Sequence, residues 1–314
     1  MKISDRSRYA FSLSIAVAML AGCGAPRAMP QSSAIRTAAR TSSMPIVYVS
    51  DLLNSVVTLY SQSNHSVVGQ ISAVSEPEGM RFSNGYLYVT EFSNQDVLVF
   101  AKGSTTSTPS LTLFDPGEKP EDVAVGSDGT KYVANYSASG GGPGSVSIYA
   151  PGSTTPTSSI TELFTVSGIT LDAAGNLYVS GSGVTKYAPG QTSGGKNLNL
   201  IGPRGGGPEG LEFDSKGNLA VSYQIIDFQK GAVWIYAPAK TKASTKIGLG
   251  YKIPYYFAFD AAFHNLTVVA DIVYSSVGHG TVDFFSYPRH KLLGSVTRNN
   301  QVLVGVTTSP EAPY

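Results

Sequence analysis

A short β-strand phrase, ending in an aromatic residue that a small residue follows, recurs six times in this chain. The recurring aromatic residues are Tyr60, Phe100, Tyr149, Tyr187, Tyr236 and Phe285. They stand about 40–50 residues apart, a period at which each repeat is one supersecondary unit that must stack on its neighbours to bury its apolar side chains. The repeat therefore excludes a single sandwich or a helical bundle.

Each repeat carries further strand phrases around the aromatic one. A second phrase, such as Leu87-Tyr88-Val89, precedes the aromatic phrase, and a turn-opened phrase, such as Gly79-Met80-Arg81-Phe82, precedes the second. A fourth, weaker strand follows the aromatic phrase, and in the fourth repeat it is expected over Asn197 to Ile201. Four strands in a period of about 45 residues are typical of a β-propeller blade.

The two ends of the repeat region complement each other. The first repeat lacks a turn-opened phrase before Val47, and a matching phrase stands at the other end, Val304 to Thr308. We therefore predict an all-β, six-bladed β-propeller with four antiparallel strands per blade. The C-terminal strand is expected to join the N-terminal blade and close the ring, which removes two exposed sheet edges. Residues 45–314 form this single domain.

The composition favours the same fold class. The chain has 34 Gly and 18 Pro among 314 residues, and only 14% of its residues are charged. In a helix interior each Gly costs about 1 kcal/mol and each Pro about 3 kcal/mol, so long helices are excluded. A hydrophobic content of 42% is too high for a disordered chain.

The N-terminal segment predicts export and lipid anchoring. Residues 1–22 combine a basic start with an apolar run too short to span a bilayer, and Leu20-Ala21-Gly22-Cys23 matches a lipobox. We expect residues 1–22 to be a lipoprotein signal peptide, Cys23 to carry the lipid (palmitate among its acyl chains), and residues 23–44 to be a flexible tether. Cys23 is the only cysteine of the chain. The alternative is an ordinary secretory signal with an incidental cysteine.

These features predict a location and exclude one class of partner. The membrane is an expected partner through Cys23, and the location is the bacterial cell envelope, at the outer membrane or the cell surface, with a periplasm-facing orientation left open. Residues 45–314 carry more acidic than basic side chains and no basic patch. Nucleic acid is therefore not an expected partner. We expect a monomer.

The repeat phrases carry a family resemblance over roughly residues 45–310. Pro-Glu-Gly-hydrophobic, then Gly-Asn-Leu-Tyr-Val, then Val-x-hydrophobic-Tyr resemble the phrases of NHL-repeat propellers and of the wider class that includes gluconolactonase and regucalcin. The phrase Tyr149-Ala150-Pro151-Gly152 and its copies also look like those of bacterial lipoproteins and secreted propellers. Propellers host many unrelated activities, so the resemblance implies a fold more than a reaction.

One position, which we call the slot, precedes the inner strand of every repeat. The slot residues are Glu78, Glu121, Ser167, Glu209, Tyr255 and Val304. Three glutamates that converge on one channel mouth would form a hard-oxygen site of the kind that Ca²⁺ accepts, or would attract a cationic ligand. The alternative is that Pro-Glu-Gly is turn chemistry, in which Gly supplies flexibility and Glu is solvated.

The resemblance adds a role for two of these glutamates. Gluconolactonase-like enzymes place a metal-ligand Glu at the Glu-Gly step, which implies Glu78 and Glu209 as metal ligands. Glu121 matches less well because Asp122 follows it. The Asn and Asp ligands that complete the site in that family have no counterpart that the sequence places.

Three loops between second and third strands are longer than the others, and they share a face with the slots. They span 136–144, 223–231 and 271–280. Binding residues concentrate in loops that a rigid scaffold positions. We therefore predict Tyr136, Tyr223 and Tyr274 as ligand-binding residues, beside Glu78, Glu121 and Glu209. The alternative is that these loops differ in length without any role in binding.

The sequence favours a binding function. No complete catalytic constellation is present, so the sequence assigns no catalytic residues. It favours a role other than catalysis. We predict an extracytoplasmic, lipid-anchored module that binds a small-molecule, glycan or protein ligand. The alternatives are a Ca²⁺-dependent lactonase or related hydrolase and a purely structural envelope protein.

Overall fold

The computed structural model describes residues 44–106, 108–138, 142–225, 230–249, 254–260, 265–270, 279–299 and 301–309. All regular secondary structure in these ranges consists of β-strands. No helix in them is long and apolar enough to cross a membrane. The predicted signal segment, Cys23 and the tether up to residue 43 lie outside the described residues.

The strands form six four-stranded antiparallel sheets, which we number I to VI. Sheet I contains β1 (Ile46–Asp51), β2 (Val56–Ser61) and β3 (Val67–Ile71). Sheet II contains β4 (Pro77–Ser83), β5 (Tyr86–Glu91), β6 (Asp96–Ala101) and β7 (Leu111–Phe114). Sheet III contains β8 (Glu118–Val125), β9 (Lys131–Ala138), β10 (Gly144–Tyr149) and β11 (Ser158–Leu163).

The second half of the chain repeats this arrangement. Sheet IV contains β12 (Ile169–Leu171), β13 (Leu177–Ser180), β14 (Val184–Tyr187) and β15 (Lys196–Asn197). Sheet V contains β16 (Gly206–Phe213), β17 (Leu219–Ile225), β18 (Lys230–Tyr236) and β19 (Thr245–Gly248). Sheet VI contains β20 (Pro254–Asp260), β21 (Asn265–Ala270), β22 (His279–Ser286) and β23 (Leu292–Asn299), and β24 (Leu303–Ser309) completes sheet I.

The ends of the repeat region meet in sheet I, as the sequence predicts. Strand β24 pairs antiparallel with β1, with Val306 opposite Val49 and Thr308 opposite Val47. The inner strands contact one another in a closed circuit, β24 to β4, β8, β12, β16, β20 and back to β24. The predicted all-β propeller with four-stranded antiparallel blades is confirmed, and so is the joining of its ends.

One predicted strand is much shorter than expected. The fourth strand of sheet IV was expected over Asn197 to Ile201, but β15 ends at Asn197. Asn199 has a φ of 51°, a left-handed conformation that a strand does not accommodate. Ile201 instead forms an isolated parallel bridge with Lys242.

The apolar core lies between neighbouring sheets. The six recurring aromatic residues are all buried there, from Tyr149 at 0% exposed to Phe285 at 7%. Tyr149, for example, packs with Val97 and Val133 between sheets II and III. Burying one such ring contributes about 2–3 kcal/mol, which explains why the aromatic phrase recurs at the same place in every repeat.

Candidate functional site

The slot glutamates lie on the inner strands, and two of them are buried. Glu78 on β4 is 1% exposed and Glu121 on β8 is 5% exposed, whereas Glu209 on β16 is half-buried. The alternative that these side chains are solvated is therefore wrong for Glu78 and Glu121. In the circuit of inner strands, β4 and β8 are neighbours, and β16 lies three steps from β4 in either direction. Among the described residues, no group of three or more His, Cys, Asp or Glu side chains is arranged to hold a metal ion.

The glycine after the slot serves close packing. A Cβ atom at Gly79 would lie 2.5 Å from the carbonyl oxygen of Glu121, and at Gly305 it would lie 2.3 Å from that of Glu78. At Gly168 the same contact, to Glu209, would be 2.3 Å. None of these three glycines has a positive φ. The expectation that they supply conformational flexibility is corrected: only glycine lets successive inner strands approach this closely.

Hydroxyl groups on second strands hold the slot backbone in place. Ser50 on β1 donates to the carbonyl oxygen of Glu78 at 2.7 Å, and Thr90 on β5 donates to that of Glu121 at 3.2 Å. Ser180 on β13 donates in the same way to Glu209. Each bond runs from one sheet to the next along the ring. The channel mouth is thus a fixed frame of backbone carbonyl groups.

Sheet III departs from this pattern in two compensating ways. Ala134 replaces the hydroxyl residue and Asp122 replaces the glycine after the slot. The buried Asp122 carboxylate accepts hydrogen bonds from the backbone N–H groups of Ile169 at 3.0 Å and Val123 at 2.8 Å. Burial raises the pKa of Asp122 to about 7, against the lowering effect of the nearby Arg81. A carboxylate therefore makes the link from sheet III to sheet IV.

A buried ion pair crosses the axis of the ring. Arg81 on β4 contacts the carboxylate of Glu212 on β16, and their side chains are 10% and 7% exposed. Arg81 also donates to the carbonyl oxygen of Ile169 on sheet IV at 3.4 Å. One side chain thus links sheets II, IV and V across the ring.

This pair corresponds to a sequence pattern that no single motif shows. Arg81 and Glu212 occupy the same position of the inner-strand phrase, in Gly-Met-Arg-Phe and Gly-Leu-Glu-Phe. Their repeats are the second and the fifth, which face each other in the circuit of six inner strands. Opposite charges at the same position of opposed repeats are the detectable pattern.

Of the predicted aromatic ligand residues, Tyr223 is buried in the core. Tyr223 is 3% exposed, its hydroxyl group shares a 2.8 Å hydrogen bond with that of Tyr236, and its ring meets Trp234 edge-on at 5.8 Å between centroids. Tyr223 is thus a core residue of the seam between sheets IV and V, because the strand β17 extends past it. Tyr136 on β9 is half-buried, and Tyr274 lies outside the described residues.

Several other apolar side chains are exposed on the loop face, and Phe164 and Leu53 are two that no motif of the sequence marks. Phe164 is 71% exposed, and its carbonyl oxygen accepts a hydrogen bond from Gly144 at the end of the long loop 136–144. Leu53, in the turn between β1 and β2, is 57% exposed. Neither belongs to a repeat phrase, so no pattern marks them.

Comparisons with known proteins identify the fold. No family model matches the chain, and no curated protein matches it. Solved structures do. A propeller from a nidogen/laminin complex aligns with a TM-score of 0.61 at 14% identity over 84% of this chain and 98% of that chain. A putative gluconolactonase aligns with a TM-score of 0.59 at 14% identity over 84% and 88%. A Xanthomonas campestris gluconolactonase aligns with a TM-score of 0.56 at 18% identity over 72% and 79%. At these identities the likeness shows a propeller fold and no activity.

Proposed function

We propose that the chain is an exported, lipid-anchored propeller of six blades that binds a ligand on its loop face. The observation that carries this proposal is Phe164, a large apolar side chain that is 71% exposed beside an enlarged loop. A rigid ring beneath such loops is the usual scaffold for a binding site. The buried ion pair of Arg81 and Glu212 joins opposed inner strands, which favours a ligand bound on the face over one threaded along the axis.

The chemistry of this face favours a glycan or protein ligand. Phe164 and the half-buried Tyr136 offer aromatic surface, and sugar rings and apolar protein side chains both pack on such surfaces. The propeller of the nidogen/laminin complex is similar in fold and was solved in a complex with another protein. A protein-interaction role therefore accords with the use of a similar scaffold.

Binding to a glycan array tests the proposal. We expect the purified protein to bind a defined subset of glycans, and Phe164→Ser to lose at least about tenfold in affinity, as expected when a large apolar contact is removed. Val67→Ser is the matched control, because Val67 is also exposed (45%) but lies on the outer strand of sheet I. Loss of binding in both variants, or in neither, would contradict a site at Phe164. If no glycan binds, the same pair of variants is compared against proteins of the cell envelope.

A second candidate function is a Ca²⁺-dependent lactonase with Glu78 and Glu209 as metal ligands. The slots place both glutamates on inner strands, and two of the similar structures are described as gluconolactonases. A cation there would polarise the carbonyl group of a lactone and stabilise the charge that develops on its oxygen. We expect Ca²⁺-stimulated lactone hydrolysis that Glu78→Gln and Glu209→Gln abolish if this candidate is right. Hydrolysis no faster than buffer would exclude it.

The lipid anchor is a separate part of the proposal. Cys23 stands at the acylation position of a lipobox. We expect Cys23→Ser to move the protein from the membrane fraction to the soluble fraction. Continued membrane association of that variant would contradict anchoring at Cys23.

A further inference from the structure

Exposed cationic side chains gather on the face of the ring opposite the slots. This face, which we call the tether face, is made by the turns that join the first strand to the second and the third strand to the fourth of each sheet. In sheets IV, V and VI its exposed side chains include six cations, Lys196, Lys216, Lys240, Lys242, Arg289 and Lys291. None of the acidic side chains described in the turns of these three sheets is exposed.

The strand register places both turns of a sheet at the same edge. In sheet V, Phe213 at the end of β16 lies opposite Leu219 at the start of β17. Ile235, near the end of β18, lies opposite Thr245, which begins β19. Both turns therefore lie at the strand ends that point away from the slot of β16.

Neighbouring sheets present these turns on the same side of the ring. Gly305 of β24 packs against the slot of β4, and two residues later Thr307 accepts a hydrogen bond from the N–H of Phe82 at 3.1 Å. The two inner strands therefore run in the same direction. On the tether face itself, the hydroxyl group of Tyr287 in sheet VI donates to the carboxylate of Asp214 in sheet V. The turns of these sheets thus form one continuous surface.

The chain enters the ring on the tether face. Strand β1 begins at Ile46, which lies opposite Ser61 at the end of β2 and Ser309 at the end of β24. The turn after β2 carries His65, whose ring stacks on that of Phe284 in sheet VI with centroids 3.6 Å apart. The predicted tether therefore joins the ring next to the sheet that carries two of the six cations.

The acidic side chains of the ring concentrate on the opposite face. On the tether face, Asp172 pairs with Lys186 at 3.4 Å, and the buried Asp214 accepts a hydrogen bond from Asn218 at 2.7 Å. Asp128 in sheet III is an exposed acid of this face. The slot side, in contrast, carries Glu76, Glu78, Glu91, Asp96, Asp115, Glu118, Glu121 and Glu209. The ring is therefore polarised along its axis, with its exposed positive charge on the tether face.

No run of basic residues marks this face in the sequence. The six cations come from four separate turns, each of which contributes one or two of them. The expectation that the domain has no basic patch is therefore corrected, because the repeat brings distant turns to one side of the ring.

We propose that the tether face binds the surface of an anionic membrane through these six cations. Each Lys or Arg held close to an anionic leaflet raises the binding constant about fivefold. The choice of phospholipid headgroups as the partner rests on the proposed membrane location, since a lipid on Cys23 would bring this same face to the bilayer. The loop face, with Phe164, would then point away from the membrane towards its ligand.

Vesicle flotation of the chain from residue 23 onward, with Cys23→Ser, tests this surface without a lipid anchor. That chain contains the whole closed ring. We expect it to bind phosphatidylcholine vesicles that contain about 30% phosphatidylglycerol, to bind pure phosphatidylcholine poorly, and to dissociate as NaCl rises from about 0.1 M to about 1 M. The double variant Lys240→Gln, Lys242→Gln should bind the anionic vesicles at least about tenfold more weakly.

The matched control removes the same two positive charges from the other face. It is the double variant Lys119→Gln, Arg204→Gln, which should bind the anionic vesicles like the parent chain. Both variants keep the arginines of the tether, so a difference between them reports on the ring. The melting temperature of each variant shows that it is folded.

The other outcomes overturn the proposal. Equal binding to both kinds of vesicle, binding to neither, or an equal loss in the two double variants would show that the tether face does not bind an anionic membrane. Tighter binding to double-stranded DNA than to the anionic vesicles, at equal phosphate concentration, would assign the face to nucleic acid instead. The fractionation of Cys23→Ser tests the lipid anchor separately, because no arm of the vesicle experiment contains a lipidated chain.

Discussion

Arg81 carries a full positive charge to the middle of the ring, where water cannot stabilise it. The buried charge is stabilised by Glu212, which faces Arg81 from the opposite sheet, and by the carbonyl oxygen of Ile169. A buried ion pair of this kind often contributes little compared with apolar residues of the same shape, because desolvation offsets the attraction. Removing one partner is costly, however, because the other charge stays buried alone.

The first prediction concerns this pair. Arg81→Met should lower the free energy of unfolding by about 3–5 kcal/mol, because Glu212 would be left as an uncompensated buried charge. The double variant Arg81→Met, Glu212→Leu should recover most of that loss. Urea denaturation of the two variants measures both values. A double variant that is less stable than the single one would show that the pair contributes more than its mutual compensation.

Asp96 and Glu91 form a carboxyl pair at the end of the hairpin of β5 and β6. They are opposite each other in the strand register. Burial raises the pKa of Asp96 from 3.8 to about 7, and the neighbouring Glu91 contributes to the rise. The folded protein therefore keeps a proton that the unfolded chain releases. The stability from this proton is complete below pH about 4 and is lost as the pH rises towards 7.

The second prediction is a change in pH dependence. The amide of Asp96→Asn imitates the protonated carboxyl group, so the variant should melt near the wild-type temperature at pH 4. At pH 8 it should melt at a higher temperature than the wild type, because the wild type has lost its proton. Thermal melts from pH 4 to pH 8 measure the difference between the two proteins. A difference that does not change with pH would contradict a proton retained by Asp96 in the folded protein.

At the scale of the element, the residues of each inner strand are constrained by the neighbouring sheet that packs against it. Gly79 and Gly305 leave room for the slot carbonyl group of the next sheet, and Ser50 donates to that group. Asp122 shows how the arrangement tolerates change, because its carboxylate replaces a hydroxyl group that sheet III lacks. The phrase Pro-Glu-Gly is thus a packing motif between blades, whatever the glutamate binds.

The third prediction tests this packing. Gly79→Ala should lower the free energy of unfolding by about 1–3 kcal/mol, the usual cost of overpacking, because its Cβ would lie 2.5 Å from the carbonyl oxygen of Glu121. Gly207→Ala on β16 is the matched control, since no atom lies within 4 Å of its Cβ position. Chemical denaturation of both variants measures the change. Equal effects of the two substitutions would contradict the close approach.

How well the sequence predicts a strand depends on the position of that strand in its blade. Buried second strands such as Ile46–Asp51 and aromatic third strands such as Val56–Ser61 follow from apolar patterning, which burial on both faces enforces. The outer strands are half exposed, so their apolar residues do not alternate clearly. The sequence therefore does not predict that β15 ends at Asn197. A local left-handed residue, Asn199, decides that boundary.

The site was less predictable than the fold for a physical reason. The frame around Glu78 follows from a repeat that recurs along the chain. The contacts of Arg81 and Asp122 instead join residues from different sheets, and the sequence does not reveal them until the circuit of sheets is known. Tyr223 illustrates the converse case, because a loop aromatic in the sequence is a core residue once β17 is built.

At the scale of the whole molecule, closure explains the composition. Strand β24 covers the edge of β1, and every inner strand contacts two others. Sheets packed on both faces leave few positions for charged side chains, which accords with a charged fraction of 14%. Side chains on the loop face are not packed between sheets. Phe164 is the most exposed large apolar side chain among the described residues.

One comparison tests most directly whether the ligand binds on the loop face and not at the channel mouth. Glycan-array binding is measured for the wild type, for Phe164→Ser and for the double variant Glu78→Gln, Glu209→Gln, with folding of each checked by its melting temperature. We predict that the slot variant binds like the wild type and that Phe164→Ser loses binding while it stays folded. Binding that survives Phe164→Ser and disappears with the slot glutamates would contradict the account and move the functional site to the channel mouth.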